Sequence, residues 1–104
     1  MKQDLQLKSR VREILKIVQQ VSPGNSVELR IPPYAAIQCA TGSVHRRGTP
    51  PNVVEMSGQT LIKLVDNPTY WDEFCHKGRI SASGTNSNLK DLFIKVSKLD
   101  SGSK

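Results

Sequence analysis

The chain has 104 residues, 37% apolar and 23% charged, which fits one globular domain and excludes disordered and collagen-like classes. Fifteen lysines and arginines against nine carboxylates give +6 without a like-charged block, a mild bias toward anionic partners and not a nucleic-acid tail. No apolar run approaches the roughly 18 residues of a membrane-spanning helix, and Met1–Gln6 starts no secretory signal, so a cytoplasmic protein is expected.

The first element is an amphipathic helix over about Asp4–Val21. Leu7, Val11, Ile14, Leu15 and Val18 fall on one stripe at helical period, with Lys8, Arg12, Lys16 and Gln19 opposite. Ser22-Pro23-Gly24-Asn25 ends it. Four short strands are predicted next. Val27–Ile31 alternates cleanly up to Pro32-Pro33; Tyr34–Thr41 is small and apolar; Ser43–Arg47 and Asn52–Met56 are separated by Gly48-Thr49-Pro50-Pro51.

The period then changes. Ser57 predicts an N-cap, with Met56 and Leu61 as a hydrophobic staple, for a helix ending near Asp66. Thr69 and Asp72 form a capping-box-like pair for a second short helix, whose inner face carries Trp71, Phe74 and Cys75 and which Gly78 ends. Arg79–Ser83 alternates again, with Ile80 and Ala82 inward. The last helix, Asn88–Lys98, places Leu89, Leu92, Phe93 and Val96 on one face. The order α-β-β-β-β-α-α-β-α predicts an α+β domain over residues 1–99. Its five-stranded, mainly antiparallel or mixed sheet has helices packed on one face, and a disordered polar tail follows at 100–104.

Catalytic constellations are weak. Cys75 and His76 are adjacent, so on a helix they diverge by about 100°. Cys39 and His45 lack a third orienting group, and free cysteines are usually small buried hydrophobes. Neither the cysteines nor the histidines have metal-ligand spacing, and no dinucleotide, P-loop or nucleophile-elbow motif occurs. The expectation is a protein without enzymatic activity, metal or cofactor. Arg46 and Arg47 form a short basic stretch, yet Trp71, Phe74 and Phe93 lie on apolar helical faces and not on a stacking platform, so specific nucleic-acid binding is not expected and a small basic nucleic-acid binder stands only as the third reading. The rigid Gly48–Asn52 stretch is either a preset crossing or a polar rim presenting His45, Arg46, Arg47 and Asn52 to a ligand or a protein partner.

The second half is rich in large apolar residues: Leu61, Leu64, Val65, Trp71, Phe74, Leu89, Phe93 and Val96. The strands set against them supply Ala35, Ala36, Ala40 and Ala82, so the two layers either mesh or leave a slot. A slot would gain roughly 0.8 kcal/mol for each CH₂ of a bound acyl chain. Kept empty at ~300 Å³, it would cost about 7 kcal/mol, so a site here should be narrow, collapsed when empty, or occupied.

Three segments together carry a resemblance: VELRIPPYAAIQCATG (Val27–Gly42), HRRGTPPNVVEM (His45–Met56) and WDEFCHKGRISASG (Trp71–Gly84). They resemble the sterol carrier protein 2-like family, in its short bacterial branch, over about Val27–Val96. The resemblance implies a five-stranded sheet with helices on one side and a hydrophobic tunnel between them for lipids, without chemistry of its own. It implies that Leu61, Leu64, Val65, Trp71, Phe74, Leu89 and Phe93 line the tunnel, with Ile37 and Val96 in the same apolar wall, and that the last helix is its lid. The implied partners are a fatty acyl, phospholipid or sterol-like ligand and, through the basic first helix, a weak contact with an anionic membrane surface.

Overall fold

The computed structural model describes residues 2–42 and 52–102. Helix α1 (Lys2–Val21) leads into strands β1 (Val27–Ile31), β2 (Ala35–Cys39) and β3 (Asn52–Met56). Helix α2 (Gly58–Asp66), a 3-10 turn (Pro68–Tyr70), α3 (Trp71–His76), β4 (Ile80–Ser83) and α4 (Lys90–Gly102) follow. The α+β class stands, with helices over one face. The sheet has four strands among the described residues, in the order β2-β1-β3-β4, and not five. The additional strand expected at Ser43–Arg47 lies outside the described residues.

The sheet is mixed. β1 pairs antiparallel with β2 and parallel with β3, and β3 pairs antiparallel with β4. The hairpin from β1 to β2 turns on Pro32-Pro33, with the Tyr34 amide donating to the Ile31 carbonyl at 2.8 Å. Cys39 and Asn52 both align with Val27 on neighbouring strands, so the chain leaves β2 and enters β3 at one end of the sheet. β3 therefore runs in the direction of β1 and opposite to β2.

Register decides which residues meet the helices. Val27, Leu29 and Ile31 lie on the same face as Val54, Met56 and Ile80, and all six are buried. Glu28, Arg30, Gln38, Glu55 and Ser81 occupy the opposite face, where Glu28 is half-buried and the other four are exposed. The alternation of β1 and β3 carried this information correctly. The expectation of an alanine-lined inner face holds in part. Ala35, opposite Ile31, and Ala82, opposite Val54, lie on the helix-facing side, where Ala35 and Ala40 pack against the core while Ala82 is exposed at the β4 edge; Ala36 is corrected, since it aligns with Arg30 on the outer face. The fully buried part of the wall is built from larger residues.

Several boundaries shift for identifiable reasons. Ser57 caps α2 as expected, its hydroxyl oxygen accepting from the Thr60 amide at 3.1 Å. The second cap is Asn67 and not Thr69: the Asn67 side chain accepts from the Thr69 amide, making a 3-10 turn that hands over to α3 at Trp71. Asp72 is thereby free to pair with Lys90 at 3.0 Å. Gly78 ends α3 with φ of +77°, a conformation glycine adopts without a Cβ penalty. Helix α4 runs on to Gly102, so Asp100, expected in the tail, is helical and only 6% exposed. A buried carboxylate needs a partner, and the sequence alone did not disclose it.

Candidate functional site

The large residues of α2, α3, α4 and the loop just before α4 do converge. Leu61, Leu64, Val65, Trp71, Phe74, Leu89, Phe93 and Val96 belong to one buried cluster together with the inner face of the sheet and the stripe Val11, Ile14, Leu15 and Val18 of α1. The Trp71 and Phe93 rings stack with centroids 6.2 Å apart. Phe93, Leu61, Leu64 and Val96 are fully buried. The expected tunnel wall is therefore a meshed apolar layer in this state. Ile37, aligned with Leu29 on the helix-facing side of β2, is only partly buried: it packs against this cluster and also borders a shallow surface depression of about 180 Å³ with Glu28, Ala36 and Gln38.

The layer approaches solvent at Phe74. That ring is 5% exposed, yet it forms the floor of a surface pocket of about 420 Å³. Lys63, Asp66, Tyr70, Glu73, Lys77 and Arg79 complete the lining. Tyr70 lies 5.2 Å from Phe74 between ring centroids, and the Arg79 guanidinium sits 5.7 Å above the Phe74 ring. Two aromatic rings and five charged side chains thus line the pocket together. The sequence reading missed Tyr70, Lys63, Lys77 and Arg79. Tyr70 and Phe74 are four residues apart, as neighbours on one helical face are, and that spacing was the available signal.

The polar rim separates into two parts. Asn52 is 1% exposed, and the fold uses its amide. Its nitrogen donates to the Ser26 carbonyl at 2.9 Å, and its oxygen accepts from the Asn86 amide at 2.9 Å. It ties the starts of β1 and β3 to the loop before α4. His45, Arg46 and Arg47 lie outside the described residues.

Burial pushes the Cys39 thiol up to about 11, and burial together with Asp72 raises that of Cys75. Neither is an activated nucleophile near neutral pH. Among the described residues, no cluster of His, Cys, Asp or Glu is placed to hold a metal ion, and no helix is long and apolar enough to cross a membrane. On the outer side of α1, Lys8, Arg12 and Lys16 line a surface groove of about 570 Å³ with the exposed Leu5. Helix α4 is fastened along its length. Lys90 reaches Asp72, and near the far end Asp100 accepts from the two terminal guanidinium nitrogens of Arg10 at 2.8 and 2.9 Å.

Among curated proteins, none matches the sequence significantly. A family model described as bacterial SCP ortholog matches residues 3–94, from α1 into α4, and so covers every described strand and the pocket at Phe74. The chain therefore belongs to this sterol carrier protein-like bacterial family.

Proposed function

We propose that this protein is a non-enzymatic binding or carrier domain for an elongated apolar ligand: a fatty acyl chain, a phospholipid tail or a sterol-like molecule. The ligand is taken up between α4 and the layer made by α2 and α3. The observation that carries this reading is the double position of Phe74. It belongs to the continuous apolar layer and also floors the pocket that opens to water. Family membership supports the same reading.

The energetics favour a site that closes when empty. An open void of ~300 Å³ would cost roughly 7 kcal/mol, comparable to the whole stability of a small domain. An acyl chain burying ten CH₂ groups would gain roughly 8 kcal/mol, enough to offset the displacement of one packed helix. The inner sheet face is bulky, so room for the ligand comes from outward movement of α4. Its polar head then rests at Lys63, Lys77 and Arg79, among the carboxylates of Asp66 and Glu73.

Lys8, Arg12 and Lys16 give α1 a basic outer side suited to a weak contact with an anionic membrane, worth roughly 1 kcal/mol per well-placed cation. The proposed function needs no cofactor, and two free thiols suit the cytoplasm. Native mass spectrometry of freshly purified protein tests the reading. A co-purified fatty acid or phospholipid at one per chain is expected. A homogeneous apo mass that stays unchanged on adding fatty acid overturns it.

A further inference from the structure

We propose that the Arg10–Asp100 ion pair is the latch of α4, and that its opening sets the rate at which an apolar ligand enters and leaves the layer beneath that helix. The gating role rests on the carrier reading above.

The two ends of α4 are held by different physics. Leu89 just ahead of it and Leu92, Phe93 and Val96 within its first half are buried. The Asn88 side chain accepts from the Lys90 amide at 3.0 Å, and the preceding loop is tied through Asn86 to Asn52. Beyond Val96 the character changes: Lys98 is exposed and Leu99 is half exposed. Among the described side chains beyond Val96, the buried one is Asp100, 6% exposed, with its two carboxylate oxygens on the two terminal nitrogens of Arg10. An ionic fastening thus replaces the apolar one along the same helix. Asp100 also lies beyond residue 94, where the family match ends, so family membership does not account for it.

An ion pair suits a latch better than a leucine would. Desolvating the carboxylate costs most of what the bidentate contact returns, so the closed state is favoured by little. Opening releases Asp100 to water and strands no charge on α1, because Arg10 is also paired with Glu13 one turn along its own helix. Both states satisfy their charged groups, which is what a two-state element requires. The Asp100 hydrogen bond, opposed by burial and joined by Glu13, holds the Arg10 guanidinium further above its ordinary range, so its charge is permanent and the latch is set by geometry.

Release of cis-parinaric acid from the full chain into excess phosphatidylcholine vesicles, followed by stopped flow, tests the proposal alongside amide hydrogen exchange. Arg10→Met and Asp100→Asn should each speed release about tenfold or more. Exchange should quicken in the last turns of α4 while the amides of β3 and α2 keep their protection. The apolar double replacement Arg10→Met with Asp100→Leu should return release to the wild-type rate or slower, since a packed apolar pair closes as well as an ionic one. If Arg10→Met unfolds, Arg10→Lys keeps the charge, loses the fork and should still release faster. Wild-type release in the single variants, or exchange quickened throughout the domain, overturns the latch and leaves the carrier reading intact. Failure of the wild-type chain to bind the probe defeats the carrier reading, and the gating role with it.

Discussion

Truncating Phe93 to alanine probes the apolar layer most severely. The ring is fully buried and stacked on Trp71 with centroids 6.2 Å apart, so its neighbours are held by other packing and cannot simply collapse inward. The substitution leaves a hole of roughly 100 Å³, which at ~24 cal/mol per Å³ contributes about 2.4 kcal/mol. Loss of ring transfer and stacking brings the total to about 3–5 kcal/mol. Against a total stability of ~5–15 kcal/mol that is a large fraction. Urea unfolding followed by Trp71 fluorescence measures it as a lower midpoint with unchanged slope. The carrier reading adds a second expectation: affinity for fatty acid should fall by more than the population of unfolded chain explains. A destabilisation below about 1 kcal/mol refutes the meshed layer. Affinity falling only in step with unfolding makes Phe93 a core residue and nothing more.

Three further outcomes follow from named contacts. Asn52→Ala strands the buried Ser26 carbonyl, releases the part-buried Asn86 amide and should cost about 1–3 kcal/mol in urea unfolding; a loss within experimental error would show that water replaces the side chain freely. Cys39 ionises near 11 when folded against an ordinary 9.0, so the unfolded state sheds its proton first and stability should fall as pH rises through that window. Cys39→Val should abolish that share of the decline in urea midpoints, and an identical decline in both proteins contradicts the assignment. Replacing Lys8, Arg12 and Lys16 together by glutamine should remove salt-sensitive co-sedimentation with phosphatidylglycerol vesicles, worth roughly 3 kcal/mol at low ionic strength; unchanged sedimentation excludes α1 as the contact.

The parts of the fold legible in the sequence are those written in local periodicity. The α1 stripe, the alternation of β1 and β3, the Ser57 cap and the Gly78 stop each depend on a few adjacent residues, and each stands in the structure. The errors share a cause. Whether Ala36 faces in or out depends on its pairing with Arg30, a register that composition does not carry. Asp100 reads as tail because its partner is ninety positions away in the chain. Thr69 lost the capping role because Asn67, just before Pro68, accepts from the Thr69 amide and so starts the turn two residues earlier, with Thr69 inside it. The candidate site divides in the same way. The apolar wall was visible as helical spacing, whereas the charged rim of Lys63, Lys77 and Arg79 gathers from α2, the end of α3 and the approach to β4, which only the tertiary fold brings together.

The central claim is that a hydrocarbon chain can occupy the layer beneath α4. Trp71 is the sole tryptophan and lies within that layer, and its emission overlaps the absorption of cis-parinaric acid. Titrating delipidated protein with this probe should quench Trp71 by energy transfer, saturably and at one probe per chain, with competition by unlabelled fatty acid. A folded protein whose Trp71 emission does not respond to the probe contradicts the account.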